Sequence, residues 1–433
     1  MKMIKLEQTE KKTLYILLFA GLLNGVVMSS FQLQDIIAKK ALSALDWQIT
    51  LLVMLQPISN LMSIWWGKIL EHSRSISRYF VLTAFVGRLI LILMLFVKNY
   101  YHFLGILIIV FSFNALLSPA QNSIYQKKFS PKNRGFVFGF TSSLATLVLI
   151  ITSYVAGKLL DVNEDWFRYF FALAGILGCL SSLLTSLIKI EKKELPPQTA
   201  FSFKKVIFSP IIRAFDVLKK NKNYALFQRN YFIYGTAFMI ILPAIPKFLV
   251  EDLQMNYSQT FTSKAVISQL GILVLAPLAG MIHDRKNPAL FTCKAFGLLS
   301  LYPLFLFVSS FFIGTSIAIY LVYIAFFIFG IAMSAVVISW NISSICFAGD
   351  DDVSMYQSVH VTLTGMRGLI MPAFGLLLLK VFGVKTVFAA SALFFIVASI
   401  LSYQLYLKMD KRTFDWKSKI NKMQFVFRKV FPF

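Results

Sequence analysis

Apolar runs of bilayer length recur from one end of this chain to the other, with only short polar breaks between them. A helix needs roughly 20 mostly apolar residues to cross a hydrocarbon core. Inside that core every backbone N–H and C=O must find a partner within the protein, so runs this long read as helices rather than barrel strands. Twelve spans are expected, at about 13–35, 46–66, 79–98, 103–126, 136–159, 168–190, 225–248, 262–283, 289–312, 314–346, 355–380 and 384–407. Charged residues make up 14% of the chain, against roughly 25% in a soluble domain, so water is not its main solvent. The first apolar stretch follows a short basic leader, but no small-residue cleavage site follows it, and it reads as a retained helix. Cys179, Cys293 and Cys346 lie in or beside apolar runs without CxxC spacing and read as small core residues.

The longest polar interval, 191–224, carries Pro196, Pro197 and many lysines. It divides the chain into a first half, 1–190, a linker with a short surface helix, a second half, 225–408, and a basic tail, 409–433. Topology follows from lysine and arginine placement. With the N-terminus inside, the tails and even-numbered connections hold about 31 of the 43 basic residues. The odd connections hold only Lys39, Lys40, Lys98, Arg168, Lys247, Lys264, Lys380 and Lys385. Both termini are therefore expected on the cytoplasmic side of a bacterial-type inner membrane. The net charge of +24 reflects this bias and attraction to anionic lipid, not a nucleic-acid partner.

Two charged turns sit about half a chain apart. GMIHDRKNP begins at Gly280, GKILEHSRS at Gly67, and the 213-residue offset also relates Glu71 to Asp284. Farther along, Ala156-Gly-Lys-Leu-Leu160 matches Phe374-Gly-Leu-Leu-Leu378 at an offset of 218. Two six-span halves of like orientation are a parallel repeat, which in transporters places the substrate site between the halves near mid-membrane.

On these turns, the six-plus-six division and the basic central interval, residues 10–408 resemble the major facilitator superfamily. The resemblance implies an all-α membrane protein of two pseudo-symmetric six-helix bundles. It also implies that Gly67 and Glu71 face the start of span eleven, and that Gly280, Asp284 and Arg285 face span five near Arg134, so that the turns hold one side closed. The second glycine of the family's turn is missing here. Asp350, Asp351 and Asp352 stand where the first half carries Lys127, Lys128, Lys132 and Arg134. They are read either as a latch between the halves or as caps for span eleven.

By resemblance, spans one, four, seven and ten face the cavity. Helical spacing then nominates Asn24 and Asp35 on span one, Asn114, Gln121, Asn122 and Tyr125 on span four, Asn230 and Tyr234 on span seven, and Trp340 and Asn341 on span ten. Amides in hydrocarbon need partners, so such stripes meet substrate, water or another helix. Arg88 and Arg367 are cations within spans and have no counterpart in the other half, where Leu301 and Leu149 stand. Intramembrane charge is expensive and marks function or a specific pairing. Two cations with few buried carboxylates favour an anionic ligand, unless the arginines only snorkel or pair structurally. Asp35 and His360 are the titratable candidates for ion coupling, although exchange of one anion for another needs neither.

No Walker loop, G-x-S-x-G elbow or H-E-x-x-H pattern is present, and no catalytic residue, metal or cofactor is expected. The expectation is a monomeric secondary transporter, symporter or antiporter, for a small organic anion, with or without a coupling ion. Efflux of amphipathic compounds is the alternative within transport. A membrane receptor or scaffold that transports nothing is the alternative outside it.

Overall fold

A computed structural model describes residues 7–71, 73, 75–190, 216–284, 287–348 and 353–411. The linker residues 191–215, the tail from 412, Arg285, and Asp350 to Asp352 lie outside the described residues, so the surface-helix, tail and aspartate-latch expectations lie outside them too. Every regular element described is helical. Nine stretches of the described residues are long and apolar enough to cross a membrane. One of these, Val359–Met409, runs for 51 residues and is two crossings joined at Gly383, whose φ of 79° breaks the helix. Asp46–Glu71 and the 257–284 stretch complete twelve membrane helices.

The first bundle holds α1 (Gln8–Ala41), α2 (Asp46–Glu71), α3, α4 (Tyr100–Lys128), α5 (Pro131–Val162) and α6 (Phe167–Ser186). Helix α3 starts as Ser77–Leu82, passes through a π turn at Thr83–Arg88 and ends as a 3₁₀ segment, Leu89–Phe96. The second bundle holds α7 (Lys222–Ile240), α8, α9 (Pro288–Ser309), α10 (Ser316–Ala348), and α11 and α12, the two arms of Val353–Lys411 on either side of Gly383. Helix α8 opens as Tyr257–Phe261, turns through the π segment Thr262–Ile267 and continues as Ser268–Asp284. Between α7 and α8 lies another π turn, Lys247–Asp252.

Asparagines start several helices. Side chains of Asn99, Asn221, Asn256 and Asn287 accept from backbone N–H groups at the openings of α4, α7, α8 and α9, filling donors a helix start leaves orphaned. Within bundles, small hydroxyl residues tie neighbours together. Ser29 meets Ser153 at 2.8 Å between α1 and α5, Ser59 donates to the Phe111 carbonyl of α4, and Ser391 of α12 donates to the Ala237 carbonyl of α7. In lipid such bonds and close packing replace the hydrophobic drive that water supplies.

The bundles meet along α2 with α11 and α5 with α8. Gly365 and Gly368 let α11 approach α2 closely: a Cβ at either would fall 2.2 Å from Leu61 Cγ or 2.3 Å from Pro57 Cβ. The two glycines matched by the repeat are used differently. Gly157 of α5 lies against Ser258 of α8, across the bundle boundary, whereas Gly375 of α11 lies against Ile240 of α7 inside its own bundle.

Candidate functional site

Between the bundles lies a cavity of about 1140 Å³. Its walls come mainly from α1, α4 and α5, with residues of α2, α3 and α6, on one side, and from the end of α7, α8, α9 and α10, with Val361 of α11, on the other. It runs from Asp35 and Lys264 toward the end where α1 begins and α12 finishes, reaching Gln121, Asn122 and Tyr125.

Arg88 is the central feature of the first-bundle wall. Its side chain is 3% exposed, and Nη2 donates to Asn114 Oδ1 at 2.9 Å. The guanidinium lies over the Phe31 ring, 5.3 Å from its centroid. No carboxylate pairs with it among the described residues, and Nη1 is buried without a hydrogen-bond partner. Gln34 also lines the cavity, and its Oε1 is likewise unpartnered. A buried guanidinium left in this state supplies donors for a carboxylate or phosphate oxygen, which it binds in a fixed fork.

Asp35 lies at the far end of the cavity and accepts a short hydrogen bond from Lys264 Nζ. This ion pair joins α1 to the π turn of α8, so it crosses the bundle boundary. Beyond it is a second ionic cluster. Lys39 Nζ is 2.8 Å from Asp46 Oδ1 and 2.5 Å from Glu251 Oε1, while Lys247 Nζ is 2.5 Å from Glu251 Oε2. Lys40 donates to the Met255 carbonyl at 3.0 Å, and Asp161 of α5 accepts from the N–H groups of Tyr257 and Ser258 at the start of α8. All cross-bundle ion pairs among the described residues lie at this end. The described bundles are thus tied together at the end away from the start of α1 and the finish of α12.

The nominated residues divide into two groups. Asn24, Asp35, Arg88, Asn114, Gln121, Asn122, Tyr125 and Trp340 line the cavity together. Tyr125 is held by Thr141, with the hydroxyls 2.9 Å apart. Asn230, Tyr234, His360 and Arg367 lie instead inside the second bundle. Arg367 donates to the Tyr231 carbonyl and lies 5.7 Å from the Tyr234 ring centroid. It fills the space a side chain at Gly235 would take, since a Cβ there would be 2.0 Å from its Cζ. Tyr234 stacks on Phe296 at 4.4 Å. His360 Nδ1 is 2.9 Å from Gln228 Oε1, and its ring packs edge-on against Tyr231 and Trp340. Helical spacing identifies faces of a helix but does not separate a cavity-facing stripe from a bundle-facing one. The side chains of Glu71, Arg134, Asp284 and Asn341 lie outside the described residues, as does that expected turn contact; Gly67 and Gly280 lie in the last turns of α2 and α8.

The cavity also uses residues that spacing did not nominate. Lys264 and Gln34 are among them, as are Phe238, Tyr302 and Phe329 on the second bundle. Lys264 carried one signal in the sequence: it is one of the few basic residues in connections otherwise poor in them.

A search of curated protein sequences finds no match. Solved structures share the fold. A POT family transporter in complex with 5-aminolevulinic acid aligns with a TM-score of 0.76 at 15% identity, over 93% of this chain and 97% of its own. The nucleoside transporter NupG aligns at 0.69 and 15% identity, over 91% of this chain and 100% of its own. A bacterial homolog of the human lysosomal transporter Spinster, inward-facing and unoccupied, aligns at 0.63 and 14% identity, over 93% and 98%. The family model of the Major Facilitator Superfamily matches residues 13–345 and 230–430. With two six-helix bundles enclosing a polar cavity and a family match over nearly its whole length, this chain belongs to the major facilitator superfamily and is an integral, multi-pass membrane transporter of small molecules.

Proposed function

We propose that this chain carries a small organic anion across its membrane by alternating access, the two bundles rocking about the central cavity. The observation that carries the reading is Arg88: a buried cation at the cavity wall with an unpartnered Nη1 and no carboxylate beside it among the described residues. Such a charge is costly in hydrocarbon unless something pairs with it, and a bound anion would do so. The lysine-rich tails and even connections support a cytoplasmic location for both termini. The cavity then extends toward the cytoplasm, with the ionic contacts around Asp35, Lys39 and Glu251 closing the outer side.

The test is a thermal-shift screen of the purified protein against anionic, neutral and cationic metabolites, with uptake into proteoliposomes for each compound that stabilises it. A ligand that binds the folded state raises the melting temperature by mass action. Anions are expected to stabilise the parent, and Arg88→Gln should weaken that binding about 10- to 100-fold, the loss of one charge-assisted pair. Arg367→Gln should lower the melting temperature of the free protein without changing which class of ligand stabilises it. Equal stabilisation of parent and Arg88→Gln by neutral compounds would refute the anion reading.

A further inference from the structure

The two walls of the cavity differ in chemistry. The first bundle contributes most of the amides and hydroxyls, including Asn24, Gln56, Asn114, Gln121, Ser142 and Thr146. Among the described residues, the second bundle contributes Lys264, Gln269 and the Tyr302 hydroxyl, and otherwise aromatic and aliphatic groups. Four of its aromatic rings form one connected surface. Phe238 stacks against Phe329 with centroids 6.2 Å apart, Tyr302 meets Phe329 at 4.9 Å, and Phe326 meets Tyr302 at 5.4 Å.

Charge is equally restricted. Asp35, Arg88 and Lys264 are the charged side chains lining the cavity among the described residues. Asp35 and Lys264 neutralise each other, which leaves the single positive charge of Arg88. A second anionic group on a ligand would have to break the pair that ties the bundles together, or stay buried without a partner at a large desolvation cost.

From these two asymmetries, and resting on the anion reading above, we infer that the substrate is an amphipathic monoanion: one oxyanion head on Arg88, and a flat, apolar body against the aromatic surface of the second bundle. Each bundle then recognises one end of the molecule. The polar end is fixed by direction-dependent hydrogen bonds on the first bundle. The apolar end is held by area and ring stacking, which tolerate sliding. A substrate gripped in this way bridges the moving parts, and the second bundle can shift against its apolar end without breaking the bonds at Arg88.

The test uses the full chain in lipid nanodiscs and four probes of matched chemistry: 3-phenylpropionate, acetate, succinate and 3-phenylpropanol. Dissociation constants are measured for the parent, Arg88→Gln, Phe238→Leu and Phe329→Leu. Leucine keeps the sites filled and apolar, so the fold is retained while ring stacking is lost. The expected order places 3-phenylpropionate tightest, with acetate, succinate and 3-phenylpropanol each at least about tenfold weaker. The leucine variants should weaken 3-phenylpropionate by about three- to tenfold and leave acetate unchanged. If acetate binds as well as 3-phenylpropionate and the leucine variants alter neither, the aromatic surface has no role and the inference falls while the anion reading stands. Succinate equal to or tighter than 3-phenylpropionate overturns the single-charge inference. If 3-phenylpropanol matches the carboxylate, or Arg88→Gln binds it as the parent does, the anion reading fails and this inference falls with it. No binding of 3-phenylpropionate at millimolar concentration overturns the inference, and the wider metabolite screen then decides the anion reading separately.

Discussion

Asp35 and Lys264 stand 229 positions apart in the chain and meet at the closed end of the cavity. Their side chains are 9% and 16% exposed, so each charge depends on the other rather than on water. Removing one partner of a buried pair costs about 3 kcal/mol or more because the remaining charge is stranded. Asp35→Asn should therefore destabilise the state closed at this end, shifting the conformer ratio by about 100-fold. Spin labels at Leu45 and Gln254, in a background with the three cysteines replaced by serine, should report a longer distance in the variant. Adding Lys264→Met, which removes the stranded ammonium, should bring the shorter distance back. An unchanged distance distribution in Asp35→Asn would mean that the pair packs the bundles together without controlling their opening. Asp35 stands out in the sequence as an acid within an apolar run, but its partner does not, because no local pattern links positions this far apart. Arg88 and Arg367 look alike as sequence features. What separates them is three-dimensional: Arg88 lies on the cavity wall, while Arg367 occupies the groove left by Gly235 on the neighbouring helix.

Helix identity follows from apolar length, and the spans expected from the sequence correspond to helices. The interruptions inside helices are less visible, because a π turn needs only one extra residue and no breaker. Three such turns occur in the described residues, and each carries charged groups of the site or of the closed end: Arg88 in Thr83–Arg88, Lys247 and Glu251 in Lys247–Asp252, and Lys264 in Thr262–Ile267. The extra residue rotates everything beyond it by about one helical step, and such bulges recur at functional sites. In α3 the distortion continues into the 3₁₀ segment, with Arg88 at φ −121° where the two meet. Deleting Phe85, an exposed residue within the turn, should restore α-helical register and rotate Arg88 away from the cavity relative to the start of α3. The expected result is a protein that still inserts and purifies as a single species but no longer gains melting temperature from anions. Retained anion stabilisation would show that Asn114 and Phe31 aim the guanidinium without help from the turn.

The whole molecule combines a repeat legible in the sequence with an asymmetry that is not. Half-chain spacing of the charged turns reads the chain as two six-helix halves, because the same short turn chemistry recurs in both. The closed end is built by residues outside the repeated turns: Lys39, Lys40, Lys247 and Lys264 are four of the eight basic residues in connections expected on the outer side. Their rarity there is the mark that selects them, since a lysine kept against the orientation bias has some other reason to be present. On the proposed topology the cavity is open to the cytoplasm in this state, so accessibility should be one-sided. A cysteine placed at Asn122, which is exposed on the cavity wall, should react with a membrane-impermeant maleimide in inverted vesicles and stay protected in intact cells. A cysteine at Leu45, exposed at the opposite end, should show the reverse. Adding Asp35→Asn should carry the Asn122 position toward reaction from the outside, because releasing the closed end lets the cavity change sides. If Asn122 reacted equally from both sides in the parent, the outward-open state would already be populated and the ionic cluster around Asp35 would not hold the outer side closed. If it reacted only from outside, the rocking mechanism could stand but the orientation of the termini would be inverted.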